Sequence, residues 1–255
     1  DIIHAHHPTA ALAFKGSSGK KVVTFHGIFS NQIGILHGET AHNLSNKYEQ
    51  NALKWADAIT AGSKDAFDYY SNQGYHPHYI PNAIEIDSLA LEINQKYDKQ
   101  IIFVGRLSKE KGIESLIRLS EILPENIHLL IVGSGPLENE IKKIAKIHSN
   151  IDFLGYLPKN KVIPLIRGSF ALIQPSLAEG ISSTILEAMA CKIPIIASNL
   201  GGNKELIIDN ENGFLVNPES IDEINKKIII LSEDKTLVKN FGQKSSELIK
   251  NFEWS

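Results

Sequence analysis

In the second half of the chain, short apolar runs recur between longer amphipathic stretches, and this alternation leaves few folds open. The runs at 100–104, 128–132, 151–154, 171–173, 193–197 and 213–216 read as strands buried on both faces. Helical patterns fall between them near 112–122, 137–147, 159–167, 183–191, 203–208 and 219–231, and a last one covers about 235–250. Gly105, Gly133, Gly135-Pro136, Pro158, Pro175, Gly201-Gly202 and Asn212-Gly213 mark the joints. Alternation with short joints predicts an α/β fold: a parallel, doubly wound sheet with right-handed crossovers. Six strands make a complete Rossmann-type domain.

The first half follows the same grammar with fewer elements. Strands are expected at 1–5, 21–25, 57–61 and 77–80, and helices near 9–14, 41–54 and 64–73. The predicted division is a partial first domain at 1–83, a polar linker at 84–98 and a second domain at 99–255. Asp1 opens directly on a strand pattern without methionine, and Trp254-Ser255 closes in mid-pattern. The expectation is therefore a fragment whose missing strands precede Asp1, with targeting signals lost.

Composition excludes several classes. The 255 residues are 42% hydrophobic and 22% charged with net charge −3, which suits one large or two small domains. A nearly neutral balance gives no argument for nucleic acid. The single cysteine, Cys191, excludes an internal disulfide framework and fits a reducing compartment, so a cytoplasmic location is expected. No apolar run approaches the roughly 20 residues needed to span a bilayer.

Two segments carry the chemistry. In Gly105-Arg106-Leu107-Ser108-Lys109-Glu110-Lys111-Gly112, Arg106 stands at a strand end and Lys111 at the mouth of the next helix. Their planar fork and point charge suit a diphosphate, although either residue alone would read as a solvated loop charge. The second segment, Glu179-Gly180-Ile181-Ser182-Ser183-Thr184-Ile185-Leu186-Glu187, lies in a strand-to-helix crossover, where α/β sheets bind ligands. The N–H groups of Ser182, Ser183 and Thr184 open that helix and form an anion site. Glu187 alone could be a surface carboxylate near a helix start. Set between buried strands, it needs a partner that a ribose diol would supply. Glu179 would accept hydrogen bonds from a sugar. A glycosidase pair is the weaker reading, because eight residues of helix separate the acids by about 12 Å along one wall.

Other features yield to plainer explanations. Gly133-Ser134-Gly135-Pro136 lacks the third glycine of a dinucleotide fingerprint, position 138 being glutamate. Proline at a first helical position explains it as a helix start, although the turn could approach a nucleotide base. His4, His6 and His7 cluster at one strand end, but no spaced partner completes a zinc set. No Asp-x-Asp element is present to hold a metal-bound diphosphate.

Taken in order, several segments resemble family 4 glycosyltransferases. They are Thr24-Phe25-His26-Gly27, Ala56-Asp57-Ala58-Ile59 with Ser63, Pro81-Asn82, Gly105-Arg106-Leu107 with Lys111-Gly112, Val132-Gly133-Ser134-Gly135-Pro136, and the Glu179-to-Glu187 block. The resemblance covers essentially the whole chain and implies the GT-B architecture, two Rossmann-like domains facing across a cleft, the first incomplete here. It implies metal-independent, retaining transfer from a nucleotide sugar, UDP- or GDP-linked, to a glycan or glycolipid acceptor. No cofactor is implied.

Carried over by position, Arg106 and Lys111 bind the diphosphate, Glu187 the ribose and Glu179 the sugar hydroxyls, with His26 beside the transferred sugar. His26, Arg106, Lys111 and Glu179 would be catalytic. Gly133, Gly135, Gly180, Ile181, Ser182, Ser183 and Thr184 would complete the donor site. The family's Phe-Gly reads Ile181-Ser182 here, its Pro-Asn-Gly reads Pro81-Asn82-Ala83, and a common glycine is Lys192. The closing Phe252-Glu253-Trp254-Ser255 is similar to the segment before the family's final helix, which is expected to be missing. The expected fragment would be inactive or weak. A lipid-linked acceptor would bring peripheral membrane association. Two rivals stand beside the transferase: a non-catalytic nucleotide-sugar-binding module, and a sugar-nucleotide epimerase of the same architecture.

Overall fold

The computed structural model describes residues 1–89 and 91–254. Ala90, in the expected linker, and Ser255, at the end of the closing segment, lie outside the described residues. The chain divides into two units, one of 1–82 with 178–181 and one of 83–177 with 182–255.

The first unit holds a parallel sheet in the order β1 (Ile2–Ala5), β2 (Lys20–Phe25), β3 (Ala58–Ala61) and β4 (His78–Tyr79). Val23, Phe25, Ile59 and Ala61 are buried in its strands, and Phe14, Leu53 and Tyr70 pack over them. Between β2 and β3 run two helices, α1 (Phe29–His37) and α2 (Glu39–Trp55), and α3 (Lys64–Asn72) follows β3.

The sequence reading leaves 29–37 without an element, and α1 corrects it. Helix α1 contains no charged residue apart from the titratable His37, and Gly34 interrupts it, so it lacks the usual polar signature. Gly34 is needed for contact, since a Cβ there would lie 3.0 Å from the His42 side chain of α2. No local side chain caps α1. Instead Glu49 of α2 accepts the Ser30 backbone N–H at 2.8 Å and the Ser30 hydroxyl at 3.2 Å. A buried carboxylate thus satisfies helix-start donors that would otherwise be stranded.

The second unit follows the predicted alternation closely. Its strands are β5 (Gln100–Val104), β6 (His128–Val132), β7 (Ile151–Gly155), β8 (Ala171–Gln174), β9 (Ile195–Ser198) and β10 (Gly213–Val216). All pair in parallel in the order β10-β9-β8-β5-β6-β7. Strand β9 starts two residues later than expected, because Pro194 has no N–H for the ladder. The helices are α4 (Ile113–Ser120), α5 (Glu138–Ile147), α6 (Lys159–Arg167), α7 (Ser183–Ala190), α8 (Asn203–Leu206), α9 (Ile221–Glu233) and α10 (Lys235–Leu248). Ile101, Phe103, Leu129, Ile131, Ile173 and Ile196 form the centre of one core. Lys192, just after α7, adopts the left-handed conformation with φ 60°, which favours glycine. Among the described residues no helix is long and apolar enough to cross a membrane.

Candidate functional site

In the second unit, β5 and β8 are neighbours joined only through other strands, so the connections leave the sheet in opposite directions between them. Such a switch point opens a crevice at the strands' carboxyl ends. After β5 the chain passes Gly105, Arg106, Leu107 and Ser108, then a single 3₁₀ turn, Lys109–Lys111, before Gly112 starts α4. Gly112 has φ 72°, and a Cβ there would run into the carbonyl of Pro175. Two residues on, the Leu177 N–H donates to the Glu110 carbonyl at 2.8 Å. The basic loop is therefore joined backbone to backbone to the segment that follows β8.

Buried polar groups support this junction from below. The Ser198 hydroxyl donates to the Ser176 carbonyl at 2.5 Å, and the Asn203 amide donates to the Ser198 carbonyl at 3.0 Å. Above it the Arg106 guanidinium is largely exposed and lies 4.0 Å from Glu110.

The Gly133-Ser134-Gly135-Pro136 turn has a different cause from the one expected. Helix α5 begins at Glu138, so Pro136 is not its first residue. The glycines are required by close approach: Cβ atoms would strike the Gly105 carbonyl from Gly133 and the Leu107 backbone from Gly135. The Leu107 N–H donates to the Ser134 carbonyl at 2.9 Å, and the Leu137 N–H to the Leu107 carbonyl at 2.9 Å. Beside this seam lies a cavity of about 590 Å³ walled by Arg106, Gly133, Gly135, Tyr156, Leu157 and Val162. That volume is in the range of small-molecule sites.

Ser182 precedes α7, and Ser183 and Thr184 form its first turn, where N–H groups have no intrahelical acceptor. Glu187, in the next turn, is 16% exposed, and its Oε1 lies 3.4 Å from the Lys159 ammonium. Burial pushes the Glu187 carboxyl above its ordinary value, and Lys159 opposes that shift. Burial also pushes the Cys191 thiol, one turn on, up to about 11. Sequence reasoning missed Lys159, because its contact depends on how α6 and α7 pack.

The remaining expected residues belong to the first unit. His26 directly follows β2 beside other rings: its Nε2 lies 3.3 Å from His6 Nδ1, and the His4 and His6 rings are 4.1 Å apart. Burial, then the neighbouring His6, His4 and His7, hold the His26 imidazole below its ordinary pKa. His4 Nε2 is 2.7 Å from the Thr24 hydroxyl, itself 2.6 Å from that of Thr60. Among the described residues no group of three or more His, Cys, Asp or Glu is arranged to hold a metal ion. The 178–181 segment carries Glu179, Gly180 and Ile181. The Ile181 carbonyl accepts from the Asn82 amide at 2.8 Å, and a Cβ on Gly180 would strike the His26 carbonyl. Arg106, Lys111, Gly133, Gly135, Ser182, Ser183, Thr184 and Glu187 lie in the second unit.

The chain is similar to known proteins in sequence and fold. The chain is 32% identical over 254 residues to an uncharacterized glycosyltransferase, MJ1069, of Methanocaldococcus jannaschii, covering 92% of this chain and 63% of that protein. It is 29% identical over 192 residues to the capsular polysaccharide biosynthesis glycosyltransferase CapM of Staphylococcus aureus, covering 67% of this chain and 48% of that one. The crystal structure of Anabaena HepE in complex with UDP-glucose superposes with TM-score 0.82 at 21% identity, over 99% of this chain and 75% of that one. The fold is thus of the GT-B, Rossmann-like class. The chain spans less than two thirds of the length of MJ1069. Residues 1–88 match Glycosyltransferase Family 4 and residues 89–248 match Glycosyl transferases group 1, so the chain belongs to the group 1 glycosyltransferase family.

Proposed function

We propose that the protein is a retaining, metal-independent glycosyltransferase acting on a nucleotide-diphosphate sugar, in the synthesis of a polysaccharide or glycolipid. The observation that carries this reading is the pinned junction of the Arg106–Lys111 loop with the Pro175–Leu177 segment after β8, at the switch point that also holds the 590 Å³ cavity. UDP-glucose in the HepE complex and the capsular role of CapM support a nucleotide-sugar donor and a glycan product.

In this reading the nucleoside occupies the cavity, with its ribose on Glu187. Its diphosphate meets Arg106, Lys111 and the first N–H groups of α7. As the sugar–phosphate bond breaks, positive charge develops on the sugar ring and negative charge on the departing phosphate oxygen. Fixed cations and helix N–H dipoles match the second charge without reorganising. Glu179 and His26 bind the sugar, and the acceptor hydroxyl attacks from the face the diphosphate leaves, passing its proton to the departing phosphate oxygen, so no protein nucleophile is required. The Arg106–Lys111 charges and the helix dipole hold the diphosphate in place of a metal.

Thermal unfolding with and without UDP, GDP, ADP and their sugars tests the donor site. A ligand at about 100 times its dissociation constant adds roughly 2.7 kcal/mol of stability. One base should raise the melting temperature, and Arg106→Ala with Lys111→Ala should abolish the shift. A cooperatively folded sample that responds to none of them refutes the donor site. Transfer of labelled sugar to an acceptor then separates the transferase from a binding module, and donor conversion without an acceptor would indicate an epimerase.

A further inference from the structure

Lys159 is the first residue of α6, and no acidic residue accompanies it in that first turn. Its charge therefore sits at the positive end of a helix dipole, where a cation is disfavoured. What offsets this placement is Glu187 of α7, 3.4 Å away. The two residues before Pro158, Tyr156 and Leu157, line the cavity, as does Val162, three residues further along α6. Lys159 thus pairs with the carboxylate from a helix start whose flanking residues on both sides, Leu157 and Val162, line the cavity.

We propose that Lys159 is a positioning residue, which through this ion pair orients the Glu187 carboxylate to receive the ribose hydroxyls of a bound nucleotide. The inference rests on the donor-site reading above. A ribose diol has two O–H donors, and an ionised carboxylate is the acceptor that takes both. Burial alone pushes Glu187 toward its protonated form, which would place a donor where acceptors are wanted; Lys159 opposes that change. The ion pair also restrains a side chain that would otherwise turn among rotamers, so less freedom is lost on binding.

Calorimetric titration of the full chain tests this, using whichever of UDP, GDP and ADP binds together with its 2′,3′-dideoxy analogue. Lys159→Met should weaken the ribose nucleotide about five- to ten-fold and leave the dideoxy analogue within about two-fold. Lys159→Arg should restore most of the loss. Lys159→Met added to Glu187→Gln should weaken binding no further than Glu187→Gln alone. Equal loss for both ligands would mean a phosphate, base or structural role, and would overturn the inference while leaving the donor site standing. So would additive losses in the double variant, or unchanged binding by Lys159→Met. Failure of the wild-type chain to bind any of the three diphosphates would overturn the donor reading, and this inference with it.

Discussion

The backbone N–H of Leu177 donates to the carbonyl of Glu110 at 2.8 Å, tying together two loops that are distant in sequence. The bond forms because Gly112 lets α4 begin directly against Pro175, in a conformation with φ 72°. Gly155, in the same unit, has φ 69° but only Phe153 near it, at 4.0 Å. Gly155→Ala should therefore cost only the left-handed strain of about 1–2 kcal/mol. Gly112→Ala should cost more and weaken nucleotide binding as well. Urea unfolding of both variants and titration with nucleotide check this; equal costs would remove Pro175 as the cause.

Lys192 offers the opposite change. Its φ of 60° is strained for a residue with a Cβ. Lys192→Gly should raise stability by about 0.5–1 kcal/mol, the relieved strain exceeding the added freedom of the unfolded chain. The denaturation midpoint should rise without a change in slope.

If Arg106 and Lys111 hold phosphate, each replacement by alanine should weaken a nucleoside diphosphate by roughly ten- to a hundred-fold, the range of charge-assisted hydrogen bonds. Binding of the corresponding nucleoside, which lacks phosphate, should barely change. Comparing UDP with uridine, or the matching pair for another base, separates a charge contact from a fold defect.

Glu49 gives a pH signature. Burial raises its carboxyl above 4.5, the hydrogen bonds from Ser30 opposing. The folded chain then holds this proton more tightly than the unfolded chain. Its contribution is complete below pH 4.5 and is lost as pH rises through the raised value. Glu49→Gln keeps an acceptor and has no charge to bury. The stability of the variant relative to wild type should therefore climb as pH rises above about 4.5. Urea midpoints from pH 4 to 8 would show it, and a constant difference would contradict it.

The second unit was legible because strands buried on both faces read as unbroken apolar runs and its joints carry glycine and proline. Helix α1 was not, since its start is capped by Glu49 from another helix rather than by a local side chain. Position 133 could be recognised as a turn, but its need for glycine arises from the Gly105 carbonyl, in the loop that follows β5. The same holds for the site. The types Arg106, Lys111 and Glu187 suggested their chemistry, while Lys159 paired with Glu187 only once α6 and α7 were packed.

The reversal of strand order between β5 and β8 also bears on how such a chain can diverge. At the carboxyl ends of β5 and β8 the chain leaves towards opposite edges of the sheet, so side chains facing that crevice can be exchanged without disturbing the ladder that holds the sheet. The contacts at Gly112, Gly133 and Gly135 lie against backbone, and backbone geometry has no substitute side chain. Change would then fall on exposed side chains of the second unit, such as Lys159, while the glycine seams stay fixed. A scaffold divided in this way can keep its fold while few residues are held in common: HepE, at 21% identity, superposes over 99% of this chain.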